Sequence, residues 1–127
     1  IAVLLDLHSM PPPANRRDAA SPHIVIGDLY GRASEARFSW RLIDEARDAG
    51  FRTALNAPYA GGFILGRHSS PARGLNALQL EISRQLYLDS QLDQCGPGLG
   101  AIERLVIRLA NALADEALAD PLAAAAE

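Results

Sequence analysis

The sequence contains no lysine: all twelve cationic side chains are arginine, and fifteen carboxylates outnumber them for a formal net charge of −3. Without a basic excess it lacks the electrostatic footprint by which proteins grip nucleic acid or an anionic membrane surface. Together with the abundance of alanine, the exclusive use of arginine points to GC-rich coding rather than to phosphate binding. Cysteine occurs once, at Cys95. That excludes an internal disulfide framework and suits a reducing compartment, so the cytoplasm is the expected location. No apolar run approaches the roughly 18–20 residues of a membrane-spanning helix, and no basic-then-apolar leader opens the chain.

What is present is the composition of a globular domain. Of 127 residues, 49% are hydrophobic and 21% charged, enough to bury a core and too apolar for a disordered chain. The chain opens directly in the apolar run Ile1-Ala2-Val3-Leu4-Leu5. A strand without an approach segment leads us to expect a single domain over 1–127 that is the C-terminal part of something larger.

Residues 1–5 suit a strand covered on both faces, as in a parallel sheet. Pro11-Pro12-Pro13 then stops regular structure, and residues 14–21 read as a surface loop. A second strand covers 23–26 and ends at Gly27-Asp28. Ser34 is placed to cap a helix that runs to about residue 49, with Phe38, Leu42, Ile43 and Ala46 on one face and Gly50 as its stop. Residues 51–56 resume as a strand. The stretch 56–74, with four glycines and two prolines, reads as one long loop, a common seat of function. Residues 75–82 form a strand with Leu78, Leu80 and Ile82 on one face and Gln79 and Glu81 on the other, followed by a short helix through Tyr87. A last helix over 99–118 carries an apolar stripe of Leu99, Ile102, Leu105, Val106, Leu109 and Leu113. The alanine-rich tail after Pro121 is expected to fray. Helix and strand alternate as in an α/β fold, with a mostly parallel or mixed sheet flanked by helices.

Three groups of residues could carry chemistry. His8 follows the first strand, where α/β sheets place ligands, and Asp6 shares its face. An imidazole with such an acceptor is a common zinc ligand, and a lone histidine there is as readily a loop or packing residue. Glu81, opposite an apolar strand face, could take a proton as a general base, or pair with Arg84 as a surface glutamate. The segment Asn56-Ala57-Pro58-Tyr59-Ala60-Gly61-Gly62-Phe63, followed by Arg67, His68 and Arg73, lets backbone approach a ligand. Its arginines offer forks for a carboxylate, and Tyr59 a donor for an oxyanion; a glycine-rich surface loop with solvated arginines fits the same letters. His23 and His68 lack ligand spacing, Cys95 has no basic neighbour to activate it, and Trp40 reads as packing or half-exposed surface.

Taken in order, DLHSMPP, IVIGDLYG, NAPYAGGF and ALQLEISRQLYLD, from about Ile1 to Asp89, resemble the N-formylglutamate amidohydrolase family. Members are zinc-dependent hydrolases whose α/β architecture is similar to that of the zinc carboxypeptidases and aspartoacylases. The resemblance implies that His8 is the last of three protein ligands to Zn²⁺, that Glu81 is the counterpart of the catalytic glutamate, and that Tyr59, Arg67 and Arg73 belong to the substrate-side wall. The chain would then be the C-terminal part of a larger catalytic domain. The implied reaction is hydrolysis of an N-acyl amino acid, with N-formyl-L-glutamate to formate and glutamate as the first choice, a step of histidine breakdown. Two departures stand beside it. The superfamily's other metal ligands lie upstream of this strand and have no counterpart here. Asn76 occupies the place of histidine in the V-H-A-L-Q form of the motif, leaving the acyl amino acid open. The alternatives are a non-catalytic module that binds an acidic amino-acid derivative, and a zinc amidase or peptidase acting on another N-acyl compound or a cell-wall peptide. In each the partner is a small molecule or peptide, not nucleic acid or membrane.

Overall fold

The structure, a computed structural model, describes residues 1–12 and 20–119. Nearly all of the loop expected over 14–21, and the tail after Pro121, lie outside the described residues. Four strands form one sheet in the order β1 (Ala2–Met10), β4 (Leu75–Ser83), β2 (Ile24–Gly27), β3 (Thr53–Leu55). β1 runs parallel to β4 and β2 parallel to β3, while β2 and β4 are antiparallel. The sheet is therefore mixed, with helices packed on it.

Helices α1 (Ala36–Asp48) and α3 (Leu99–Leu118) cover one face. Phe38, Leu42, Ile43 and Ala46 from α1 meet Ile102, Leu105, Leu109 and Leu113 from α3 over Ile24, Ile26, Leu78, Leu80 and Ile82. The two apolar stripes are those expected from helical spacing, and they close the main core. Ion pairs Arg108–Glu45 at 2.6 Å and Arg41–Glu45 at 3.0 Å decorate its solvent side. Such partly exposed pairs contribute about 0–1 kcal/mol each, so burial, not charge, fixes how these helices sit.

Several expectations are corrected. β1 is an edge strand and half-exposed, not covered on both faces, and it extends to Met10. Its unbroken pairing with β4 carries the strand past Leu5, so His8 lies within it rather than beyond its end. Ser34 does not cap α1. The helix starts later, and the side-chain Oδ1 of Asn76 on β4 accepts the Glu35 amide at 2.8 Å and the Ser34 hydroxyl at 3.5 Å, doing from another strand what a capping side chain does locally. Gly50 ends the helix as expected, in left-handed backbone at φ 92°. The stretch 56–74 is not all loop: it holds α2 (Phe63–His68) and a 3₁₀ turn at Pro71–Arg73. A six-residue helix has too few hydrogen bonds to stand alone; Leu65 anchors it in a second cluster with Ala33 and Ala77, flanked by Leu4 and Leu29.

Candidate active site

Strand pleating and register assemble the site. In the β1/β4 ladder Asp6 pairs with Gln79 and His8 with Glu81, so all four side chains rise from the face opposite α1 and α3. α2 covers the lower half of that face, where Leu65 packs against Ala77 and Leu4, and leaves the upper half to these polar groups. Glu81 is 7% exposed and Gln79 8%. Gln79 Nε2 donates to Glu81 Oε1 at 2.8 Å. His8, with a side chain 46% exposed, places Nε2 2.9 Å from Asp6 Oδ2.

Burial pushes the Glu81 carboxyl above its ordinary range, and the Asp6 carboxylate adds to that rise. The His8 imidazole, the Gln79 amide and the Arg84 guanidinium pull it back without cancelling it. A carboxyl raised in this way is a better proton acceptor near neutrality than an exposed glutamate. In the chelated protein the Glu81 carboxyl is expected to titrate above the usual glutamate value of about 4.3. An NMR titration at or below that value would mean that burial does not govern this carboxyl.

The glycine-rich loop reaches the same face. Gly27 pairs with Gln79 in the β2/β4 ladder, and a Cβ on Gly27 would lie 2.6 Å from the carbonyl carbon of Ala60. Only glycine lets the loop backbone settle there, and the Leu29 amide secures it by donating to Ala60 O at 2.8 Å. Beyond it, Pro58 and Tyr59 wall a cleft of about 210 Å³ against Met10, Pro11 and Pro12. Tyr59 thus lies beside Met10 at the end of β1, two residues along the strand from His8. Arg67 projects exposed from the last turn of α2 on that face, and its guanidinium has no polar partner among the described residues. Arg73 is not brought in: it lies just before β4, which at about 3.3 Å per residue sets it roughly 25 Å from Glu81.

The remaining candidates fall elsewhere. His23 stacks edge-on against Phe51 and its Nδ1 accepts the Arg52 amide at 3.3 Å; burial and the Arg52 charge hold its pKa down. His68 and Cys95 are exposed, as is Trp40 on α1. Asn76 is buried on the helix-covered side of β4, so the departure from histidine there touches the cap of α1 and not the face of Glu81. A larger cavity of about 680 Å³ opens along the edge of β1. Leu7, Ile82, Ile102 and Val106 make it largely apolar and put most of it on the α3 side; His8 and Ser9 also line it, and Glu81 does not.

The sequence model of the N-formylglutamate amidohydrolase family matches residues 1–88, which contain every residue of this cluster. The chain belongs to that family. The N-formylglutamate amidohydrolase of Ralstonia eutropha JMP134 is 30% identical and superimposes with a TM-score of 0.75 over 87% of this chain and 43% of its own. The chain thus spans less than half the length of that relative. The product Atu2144 of Agrobacterium tumefaciens, 19% identical, aligns over 89% of this chain and 42% of its own with a TM-score of 0.56. The zinc-free apo form of YNDL, 18% identical, does so over 84% and 52% with a TM-score of 0.50. These two share the fold. No curated protein matches the chain in sequence.

Family membership raises the question of a metal. Among the described residues no group of three or more His, Cys, Asp or Glu side chains is placed to hold an ion. His8 with Asp6 behind it is one imidazole and its orienting acceptor, which by itself does not make a zinc centre. Gln79 is the member of the cluster that sequence reasoning passed over. Its place on the Glu81 face was readable from strand alternation, but its bond to that carboxylate was not.

Proposed function

We propose that this chain carries part of the active site of a zinc-dependent amidohydrolase that converts N-formyl-L-glutamate to formate and L-glutamate. The observation that supports this reading best is the pairing of His8 with Glu81 on one sheet face, inside the segment that matches the family. Glu81 takes the proton of the attacking water and returns it to the leaving amine nitrogen, which departs as the amino group of glutamate. Gln79 holds one carboxylate oxygen of Glu81, leaving the other for the water. His8 supplies one zinc donor through an imidazole oriented by Asp6, with the other donors coming from outside the described residues. Zinc, when bound, would supply Lewis acidity and acidify water. Arg67 and Tyr59 meet the substrate's carboxylates; a glutamate derivative carries two, and a free guanidinium is the side chain best shaped to fork one.

The test is release of the free amino acid by the full-length protein from N-formyl-L-glutamate beside N-acetyl-L-glutamate and a neutral N-formyl amino acid. N-formyl-L-glutamate is expected to be preferred over the neutral N-formyl amino acid by at least about tenfold, the worth of one charge-assisted contact, and over N-acetyl-L-glutamate if the formyl group is what the site accepts. Equal rates across the panel, or none, overturn the assignment. Elemental analysis addresses the metal: below about one-tenth equivalent of zinc after metal-replete purification, the zinc part falls.

A further inference from the structure

The segment Gly27-Asp28-Leu29-Tyr30-Gly31 takes no part in the proton transfers, yet three successive residues of it occupy left-handed backbone. Leu29, Tyr30 and Gly31 have φ of 53°, 57° and 79°, and Asn56, at the start of the glycine-rich loop, has φ of 61°. Leucine and tyrosine hold that conformation only where surrounding contacts impose it. Those contacts centre on Asp28, a carboxylate only 3% exposed. Its Oδ1 accepts the Gly31 amide and the Asn56 side-chain amide, each at 2.8 Å. Its Oδ2 accepts the Ser39 hydroxyl at 2.6 Å. Asn56 answers with its own Oδ1, which accepts the backbone amides of Asp28 at 2.9 Å and Tyr30 at 3.4 Å.

The two head groups are thus bonded to each other, each also holds backbone amides of the 28–31 turn, and a buried carboxylate so fully bonded is a rigid joint. The joint ties the 28–31 turn to the first residue of the 56–62 loop. A second tie follows directly, from the Leu29 amide to Ala60 O, and the loop backbone rests on Gly27. Turn and loop thus form one body above the sheet face that carries Glu81.

We propose that Asp28 and Asn56 are positioning residues: their reciprocal clamp fixes the 57–62 loop, and with it Tyr59, in the geometry that receives the acyl amino acid. This rests on the function proposed above. Asn56→Gly in the full-length protein deletes the clamp while keeping a residue at ease in left-handed backbone. KM for N-formyl-L-glutamate is expected to rise about tenfold while kcat falls less than about threefold, because the loop holds the substrate and Glu81 is untouched. Hydrogen exchange at the Leu29 amide is expected to quicken at least about tenfold, with the β4 amides unchanged. Gly27→Ala, whose Cβ pushes on Ala60 from below, should raise KM in the same way and serves if Asn56→Gly does not fold. An unchanged KM, or a matched loss in kcat and kcat/KM, overturns the positioning role; unchanged exchange at Leu29 overturns the clamp. Should the wild-type protein release no formate, the assigned activity falls and the exchange rates alone decide the clamp.

Discussion

Glu81→Gln is expected to lower kcat by about 10²–10⁴-fold, the usual contribution of a positioned proton carrier, with KM and zinc content close to wild type. The amide keeps the shape of the side chain and can still bond to Gln79, so what is removed is the capacity to take a proton. Turnover near that of wild type would dismiss Glu81 from the reaction. The same substitution should raise the melting temperature at neutral pH when measured under chelation. A carboxyl whose pKa is raised by burial holds its proton more tightly folded than unfolded. Folding is therefore favoured as pH falls through that raised value, and the charged form costs stability above it. The advantage of Glu81→Gln should shrink on acidification toward the ordinary glutamate range. A variant that loses activity and gains stability separates a catalytic group from a structural one; a glutamate holding the sheet together would lose both.

Phe38→Ala is expected to do the opposite. Phe38 is fully buried, in contact with both the sheet and α3, and the Arg37 guanidinium lies 4.4 Å from its ring centroid. Truncation removes the ring's transfer free energy and leaves a cavity, together about 3–5 kcal/mol. Against a typical total of about 5–15 kcal/mol, that is a large fraction, and it corresponds to roughly 10–20 °C in Tm for a domain of this size. Calorimetry or denaturant titration measures it. A loss below about 1 kcal/mol would mean that the helix layer tightens around the gap, and the main core would have to be described differently. Kinetics at low temperature should stay near wild type, since the Glu81 face lies across the sheet from Phe38.

The difference between these two residues also shows what could be read from the letters. The stripes of α1 and α3, the faces of β4 and the stop at Gly50 follow from local periodicity and backbone chemistry, and the structure has them where spacing puts them. His8 and Glu81 stood out through motif order, and Tyr59 through its glycine-rich setting. What local pattern does not contain is pairing. That β4 lies between β1 and β2, antiparallel to one and parallel to the other, is decided by how helices pack on the finished sheet. From that register come the neighbours His8 and Glu81, the bond from Gln79, and the placement of Arg73 at the far end. α2 was hidden for a related reason: its glycine weakens helix propensity, and a single buried leucine restores the balance. The cap of α1 escaped because its acceptor arrives from Asn76, far along the chain, and the Asp28–Asn56 clamp because each partner alone resembles an ordinary turn residue.

The seam between β1 and β4 has a consequence for how the protein comes into being. Between β1 and β4 lie β2, α1, β3 and α2, so the chain must pass through them before the two strands can meet. Closing so long a loop spends chain entropy before any ladder bond repays it, and such pairings form late and slowly. The neighbours His8 and Glu81 are thus a property of the β1/β4 ladder, and they meet only once that long-range pairing has formed.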